Sequence, residues 1–221
     1  MKVTDHLRKA TGTLFSFEIL PPLKGRDIRS IYEGIDPLME FGPSFINVTY
    51  HREEVIYKEM GHGLLQKVRL RKRPGTVGIC AMIKAKYSVD TVPHLICGGF
   101  SKEDTEDALI ELNFLGIGNV LALRGDAVKN EGHFVPERDG HAHAVDLIRQ
   151  IAALNRGQYL HEEETETAPT DLCVGAACYP EKHPEALNLD TDIAYLKQKV
   201  DAGAEYLVTQ MFFDNARYFA F

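Results

Sequence analysis

The chain has 221 residues, of which 44% are hydrophobic and 26% are charged, and its formal net charge is −7. This length and composition suit one α/β domain and exclude a wholly disordered chain. The acidic balance without a basic stripe argues against nucleic acid as the main partner, and the lack of a secretory signal or a bilayer-length apolar run predicts no membrane partner.

Six apolar runs predict β-strands, and stretches with apolar residues at helical spacing lie between them. The predicted strands are residues 14–20, 45–50, 76–82, 120–123, 172–177 and 205–211. The predicted helices are residues 27–41, 54–71, 101–116, 141–155 and 191–202. Ser101 is predicted to cap the third of these helices, and Asp214 is placed to cap a further one. Six successive βα units favour a parallel sheet with helices outside it.

The apolar runs contain small residues, which suit a tightly curved barrel better than an open sheet. These residues are Gly78, Ala81, Ala122, Gly175, Ala176 and Ala177. A closed (β/α)₈ barrel, the TIM barrel, needs eight βα units and typically about 250 residues. Since only six units are predicted, the chain is either an open sheet or a barrel without its last two units. The acidic insertion at 157–169 is expected to be a solvated loop rather than a site.

Side chains with useful chemistry follow the predicted strands. Arg124, Gly125 and Asp126 come directly after the run 120–123, and His94 is placed in the loop after the third run. The others are Glu18, Thr49, Tyr50, Tyr179, His183 and Gln210. Because α/β folds carry their chemistry at the carboxyl ends of parallel strands, we expect these side chains to line one rim.

Glu18 is the candidate general acid. Apolar residues flank it on both sides, and an apolar setting disfavours the charged form of a carboxylate, as an acid working near neutral pH requires. The alternative is a glutamate held in a salt bridge at a strand end. Asp126 has Arg124 nearby and is expected to stay ionised, so the two carboxylates would divide acid and electrostatic roles.

No pattern in the sequence predicts a metal site or a Rossmann nucleotide site. His94 and His183 lack spaced carboxylate or thiolate partners. The four cysteines show no zinc-binding spacing, which is typical of reduced thiols in a cytoplasmic protein. No GxGxxG pattern follows a predicted strand, and no P-loop pattern is present.

The strand-end residues lie in short motifs that follow one another along nearly the whole chain. The motifs are Ser16-Phe17-Glu18 with Pro21-Pro22, Val48-Thr49-Tyr50, Pro93-His94-Leu95, Leu123-Arg124-Gly125-Asp126, Tyr179-Pro180-Glu181 with His183-Pro184-Glu185-Ala186, Lys199-Val200-Asp201-Ala202-Gly203-Ala204, and Thr209-Gln210. No single motif is specific, but in this order they together resemble the methylenetetrahydrofolate reductase family.

The resemblance implies a (β/α)₈ barrel that binds FAD at the carboxyl ends of its strands, as a single domain over residues 1–221. The implied reaction reduces 5,10-methylenetetrahydrofolate to 5-methyltetrahydrofolate, a step of one-carbon and methionine metabolism. NADH or NADPH first passes a hydride to the flavin and leaves, and folate then takes the hydride in the same place.

The resemblance also implies roles for individual residues. Glu18 would be the acid that opens the five-membered ring of the folate to an iminium, Asp126 would steady that cation, and Gln210 would hydrogen-bond folate. Arg124 and Lys199 would be partners of the FAD pyrophosphate. The flavin-contacting positions would be Thr49, His94, Leu123, Arg124, Gly125, Asp126, His143, Ala144, Tyr179, His183, Asp192 and Lys199.

The chain departs from the family pattern in three places. His143 stands where Tyr is common, and Tyr195 stands where some members have Asn. The seventh and eighth βα units are missing, so we expect a truncated product of a longer protein. Family members are usually assemblies, and an open sheet edge favours pairing, which predicts a homo-oligomer.

Two other classes of protein remain open. A barrel enzyme of the aldolase type would need a Schiff-base lysine at a strand end, for which Lys84 is a weak candidate. The second alternative is a binding or assembly module without catalysis, since missing βα units would remove part of the site.

Overall fold

The computed structural model describes residues 1–128, 132–161 and 167–221. The helices are α1 (Val3–Lys9), α2 (Arg29–Ile35), α3 (Thr76–Tyr87), α4 (Lys102–Phe114), α5 (Ala144–Leu154), α6 (Leu189–Ala202) and α7 (Asn215–Ala220), with a 3₁₀ helix at Asp36–Phe41. The strands are β1 (Ser16–Ile19), β2 (Phe45–Val48), β3 (Glu54–Glu59), β4 (Leu65–Leu70), β5 (Asp90–Ile96), β6 (Asn119–Leu123), β7 (Cys173–Cys178) and β8 (Tyr206–Thr209). The predicted acidic loop at 157–169 includes residues 162–166, which lie outside the described residues.

Six strands form one parallel sheet in the order β1-β2-β5-β6-β7-β8. Each strand pairs in parallel with the next, so that Ser16 lies opposite Phe45 and Asn119 lies opposite Cys173. Helices connect the successive strands of this sheet. The α/β class is therefore confirmed, and the strand order is that of a partial TIM-type barrel. No helix within the described ranges is long and apolar enough to cross a membrane.

The helix predicted over residues 54–71 is wrong, because this segment is an antiparallel hairpin of β3 and β4. Gly61, His62 and Gly63 all have positive φ angles and form the turn between the two strands. Three successive apolar or aromatic residues, Val55, Ile56 and Tyr57, lie in β3, and Val68 and Leu70 alternate with polar residues in β4, which is typical of strands rather than of a helix. The basic residues between positions 67 and 73 therefore belong to β4 and to the turn after it.

The strand predicted over residues 76–82 is also wrong, because α3 begins at Thr76 and the third strand of the sheet is β5. Ile79, Cys80 and Ile83 are buried, and this spacing marks one face of a helix. Pro93 lies inside β5 and argues against a strand when only the sequence is read. As a result, His94 lies within a strand and not in a following loop.

The helix predicted over residues 27–41 is divided at Pro37 into α2 and the 3₁₀ helix, because proline at this point interrupts α-helical hydrogen bonding. Both predicted N-caps are confirmed. The Ser101 hydroxyl accepts a hydrogen bond from Asp104 N at 3.0 Å, and Asp214 Oδ1 accepts one from Ala216 N at 2.9 Å. Helix α1 was not predicted from the sequence.

The main apolar core lies between the sheet and the helices that cover it. Leu109 and Leu112 of α4, Ile148 and Ile151 of α5, and Val120 of β6 are completely buried in this cluster. A smaller cluster lies on the opposite face of the sheet. Its buried members are Val3, Val92, Leu121 and Cys173. The strands are therefore covered on both faces, which explains their continuous apolar runs.

Gly175 shows why the sheet needs small residues on its inner face. A methyl group at this position would overlap the ring of Tyr206 on the neighbouring strand. The Tyr206 hydroxyl donates to Val120 O at 3.4 Å, and burial raises the pKa of this phenol. A large aromatic ring beside a glycine thus fills the inner face.

Helix α1 lies at the amino ends of the strands. Val3 N donates to Asn119 Oδ1 at 2.8 Å, and Asn119 Nδ2 donates to Met1 O at 3.0 Å. Asn119 is the first residue of β6 and is only 2% exposed. On the next strand, His6 Nε2 lies 2.8 Å from an oxygen of Asp90. These contacts cover the amino end of the sheet. The cleft of the molecule lies at the opposite, carboxyl end.

Replacing Asn119 with alanine tests this attachment. The variant removes both side-chain hydrogen bonds and leaves Val3 N–H buried without its acceptor, so we expect the free energy of unfolding to fall by about 1–3 kcal/mol. Chemical denaturation of the purified protein measures the change. The control is Asn113→Ala on the exposed face of α4, which should change stability by less than about 0.5 kcal/mol. Equal losses in both variants would contradict the role given to Asn119.

Candidate functional site

The carboxyl ends of the strands surround a cleft of about 1270 Å³. This volume exceeds the roughly 300–1,000 Å³ of sites that hold drug-sized ligands. Tips of β2, β5, β6 and β7 contribute to its walls, together with the first turn of α5 and the inner side of α6. The base of the β3–β4 hairpin, including Glu54 and Lys72, borders its mouth. The cleft is therefore large enough for an extended cofactor.

The structure brings together every position that the sequence predicts to contact flavin. All of them line this cleft: Thr49, His94, Leu123, Arg124, Gly125, Asp126, His143, Ala144, Tyr179, His183, Asp192 and Lys199. Tyr195, one of the positions that departs from the family pattern, lines it as well. Glu18 and Gln210 are not among the described residues that line the cleft: Glu18 lies in β1, with Oε2 3.7 Å from Nε2 of the cleft residue His94, and Gln210 directly follows β8. The backbone N of Gln210 donates to Cys178 O at 2.8 Å, which fixes this residue against β7.

Gly125 makes the turn that presents Arg124 and Asp126 to the cleft. Its φ angle is +82°, and a methyl group here would come within 3.2 Å of Ile96 Cβ. Both features favour glycine at this position. The Arg124 carbonyl accepts a hydrogen bond from Gly98 N at 3.3 Å, so this turn is bound to the segment that follows β5.

Arg124 is held in a two-pronged contact with Glu185. Nη1 donates to Oε2 at 2.5 Å and Nη2 donates to Oε1 at 2.7 Å. This hydrogen bonding raises the pKa of Arg124 and lowers the pKa of Glu185. The guanidinium carbon also lies 5.2 Å from the centre of the Phe134 ring. Arg124 is therefore a fixed cation in the wall of the cleft.

A further cation of the cleft comes from α6. Lys199 Nζ donates to Ala177 O at 2.9 Å, and burial lowers the pKa of this lysine. Asp192, one turn into the same helix, accepts a hydrogen bond from His183 N at 2.7 Å. The His183 ring lies edge-on to that of Tyr179, with centres 4.6 Å apart. These contacts fix the turn after β7 against the start of α6.

His94 is a neutral base in the floor of the cleft. Burial is the main cause that lowers the pKa of His94 to about 4, and nearby His51 adds to the effect. His94 Nε2 has no hydrogen-bond partner in the described part of the chain. It lies 3.7 Å from Glu18 Oε2, which is beyond hydrogen-bond distance and is no ion pair while the imidazole is neutral. A buried polar nitrogen of this kind suits a polar ring as ligand.

The expectation that Glu18 is surrounded by apolar side chains is wrong. Its side chain is 60% exposed. Neighbours in a strand point to opposite faces of the sheet, so Phe17 and Ile19 lie on the other face and do not cover the carboxylate. The assignment of Glu18 as the acid remains a prediction that now rests on its position beside His94.

Several residues of the cleft were not predicted from the sequence. His51 follows Thr49 at the end of β2, with Nε2 3.4 Å from the Thr49 hydroxyl, and burial and Arg73 lower its pKa. Arg52 lies 3.7 Å from Glu137 and also lines the cleft. Their position directly after a predicted strand was the available signal. Glu185 stood inside a recognised motif, but its pairing with Arg124 joins two distant parts of the chain.

The candidate Schiff-base lysine of the aldolase alternative does not reach the cleft. Lys84 lies in α3 and donates to Gly116 O, at the end of α4 on the outside of the sheet. Among the residues that the structure describes, no group of three or more His, Cys, Asp or Glu side chains is arranged to hold a metal ion. The geometry therefore offers no support for an aldolase of the Schiff-base type.

The burial of neutral His94 predicts a pH dependence of stability. In the unfolded chain a histidine titrates near pH 6.5, whereas folded His94 takes up its proton only near pH 4. Because the unfolded state binds the proton first, the free energy of unfolding falls as the pH drops through this interval, by about 2 kcal/mol at pH 4.5 from this group. His94→Gln should lose correspondingly less stability than the wild type between pH 7 and pH 4.5 in urea denaturation. The exposed His133→Gln is the control and should follow the wild type. Identical pH profiles for all three proteins would refute the burial argument.

The family model and the similar proteins of known name point to the same family. A model of the family described as methylenetetrahydrofolate reductase matches residues 2–221. Methylenetetrahydrofolate reductase (NADH) 1 of Arabidopsis thaliana is 32% identical over 227 residues, and 5,10-methylenetetrahydrofolate reductase of Pectobacterium carotovorum subsp. carotovorum is 29% identical over 206 residues. The alignments cover 97% and 93% of this chain, but the chain spans only 33% and 57% of those relatives.

Solved structures with low sequence identity share the fold. Oxaloacetate acetylhydrolase in complex with oxalate superposes with a TM-score of 0.58 at 13% identity, over 98% of this chain and 65% of that one. A protein of Clostridium thermocellum that binds two copies of 5-methyl-5,6,7,8-tetrahydrofolic acid gives 0.50 at 11% identity, over 98% and 60%. At such identities these likenesses show the fold alone. Because the family model spans nearly the whole chain, and the relatives align over the same length, the chain belongs to the methylenetetrahydrofolate reductase family.

Proposed function

We propose that this chain carries the flavin-binding domain of a reductase that converts 5,10-methylenetetrahydrofolate to 5-methyltetrahydrofolate, with NADH or NADPH as electron donor. The observation that carries the proposal is the convergence of the predicted flavin positions on one cleft. These positions come from separate motifs between residues 49 and 199, and strand direction alone does not account for Asp192 and Lys199, which lie on α6.

The residues of the cleft fit FAD in both charge and chemistry. Arg124 and Lys199 are two cations that line the cleft, and we assign the pyrophosphate to them because the planar guanidinium suits phosphate oxygens. His94 contributes an unpartnered ring nitrogen that a polar heterocycle would satisfy. When bound, FAD would supply the hydride carrier, which accepts a hydride from the nicotinamide and later passes it to folate.

Glu18 is the residue that supplies the proton in this proposal. Its exposed carboxyl group at the tip of β1 is open to an incoming folate. A folate seated against it would exclude water and so favour the protonated form. Proton donation to the ring nitrogen of the folate opens the five-membered ring, and neutral His94 beside Glu18 does not compete as a cation for the carboxylate.

Asp126 has an electrostatic role. Its negative charge is one of the causes, after burial, that raise the pKa of Tyr179, and it opposes the lowering of the pKa of His51. A carboxylate that acts on its neighbours across the cleft would also stabilise the positive charge of the ring-opened folate. Gln210, fixed beside β7, is proposed to hydrogen-bond the same substrate.

The Glu18→Gln variant tests the proposal. Without the acidic proton, we expect folate reduction to fall by at least about 100-fold, the usual contribution of a positioned general acid. FAD binding and nicotinamide-dependent reduction of the flavin should stay close to wild-type values, because neither step needs that proton. Stopped-flow absorbance of the flavin follows the two half-reactions separately.

The matched control is Glu33→Gln, an exposed carboxyl group on α2, which should leave both half-reactions unchanged. Equal loss of both half-reactions in Glu18→Gln would reject the acid assignment. A folded protein that takes up no added FAD would overturn the proposed function itself and favour a binding module without catalysis.

A further inference from the structure

We propose that Glu185 is a positioning residue, which holds the Arg124 guanidinium in the orientation that binds the pyrophosphate of the cofactor. For the identity of the ligand this inference rests on the proposed function. The two contacts of 2.5 and 2.7 Å engage one N–H on each terminal nitrogen of Arg124. Arg124 has three further N–H donors, Nε–H and the second N–H of each terminal nitrogen, with which it can bind another acceptor.

Phe134 restrains the same guanidinium from a different direction. The ring centre lies 5.2 Å from the guanidinium carbon, within the range of a cation–π contact. Gly98 leaves room for this ring, since a methyl group at position 98 would come within 3.3 Å of the Phe134 edge. Arg124 is thus fixed by its backbone at the end of β6, by Glu185 at the guanidinium edge, and by Phe134.

The turn that carries Glu185 is itself well anchored. Glu185 N donates to His183 Nδ1 at 3.1 Å, and His183 N donates to Asp192 at 2.7 Å. Lys182 Nζ donates to His183 O at 2.9 Å and to Ala186 O at 2.6 Å. An anchored turn favours a carboxylate that stays in place when a ligand binds, rather than one that is displaced.

The pair is better suited to binding than to folding. Glu185 is 59% exposed, and ion pairs this open to water add little to stability. A long arginine side chain, in contrast, loses considerable rotational freedom when it binds an anion, and restraining it beforehand reduces that loss. Both residues line the cleft, so the restraint acts where an anionic ligand would bind.

The test compares Glu185→Ala with Glu181→Ala, which removes an exposed carboxyl group from the same turn outside the cleft. Dissociation constants are measured for FAD and for inorganic pyrophosphate as a second probe. We expect Glu185→Ala to weaken both by about tenfold, the order of one lost charge-assisted interaction. Glu181→Ala should bind like the wild type, and Glu185→Asp should recover part of the affinity.

A double-mutant cycle shows whether Glu185 acts through Arg124. The Arg124→Ala/Glu185→Ala protein should bind FAD no more weakly than Arg124→Ala alone, because the second change then has nothing left to position. Without ligand, Glu185→Ala should melt at the same temperature as the wild type, because an ion pair this open to water adds little to stability. A merely structural defect would lower the thermal stability and would also weaken FAD binding further in the Arg124→Ala background.

Three outcomes would overturn the inference. Tighter binding in Glu185→Ala would mean that the carboxylate competes with the ligand, additive losses in the cycle would mean that it acts independently of Arg124, and failure of the wild type to bind either probe would remove the anion site. If wild type binds pyrophosphate but not FAD, and Glu185→Ala weakens pyrophosphate, the proposed function fails while the positioning role stands.

Discussion

Parallel pairing of successive strands is the constraint on which the rest of this structure depends. Each connection carries the chain back to the amino side of the sheet, so every strand ends at the same edge. Thr49, Arg124 and Tyr179 are far apart in sequence, but each directly follows a strand, and they line the same cleft for this reason. The chemistry of the site is therefore a consequence of strand direction, and the side chains need only follow a strand closely.

Helix α1 covers the amino end of the sheet, whereas the carboxyl end borders the cleft. At the amino end, α1 docks on Asn119 and Asp90 through its own first turns. On the inner face, the Tyr206 ring lies against Gly175 and occupies the space that a side chain at position 175 would need. At the carboxyl end, glycines and charged residues replace the apolar layer. The apolar core thus ends at the cleft, whose walls combine charged residues such as Arg124 with apolar ones such as Ile96 and Leu123.

The sequence predicts a site residue correctly where the prediction does not depend on the exact end of a strand. Residues just after a buried run reach the rim whether the strand ends one residue earlier or later, which is why Arg124 and Tyr179 were predicted correctly as neighbours in space. The predictions were wrong where the result depends on one residue or on the face of the sheet to which a side chain points. Because Pro93 lies inside β5, this strand was not predicted, and His94 was assigned to a loop. The exposure of Glu18 depends on the face of the sheet on which Phe17 and Ile19 lie. The pairing of Arg124 with Glu185 depends on the three-dimensional path of two loops and has no local sequence signal.

The charge distribution of the cleft indicates which ligands it favours. The whole chain carries a formal charge of −7, yet the cleft holds Arg124 and Lys199 as partly buried cations. Lys199 donates to a carbonyl group rather than to a carboxylate, so burial acts against its charged form. An anionic ligand would reverse that effect, because it would favour the protonated lysine. Nearer β1 and β5, neutral His94 and the exposed Glu18 offer one polar nitrogen and one acid. The flavin dinucleotide that we propose as the ligand joins an anionic pyrophosphate to a polar ring system, so both kinds of group in the cleft would have a partner.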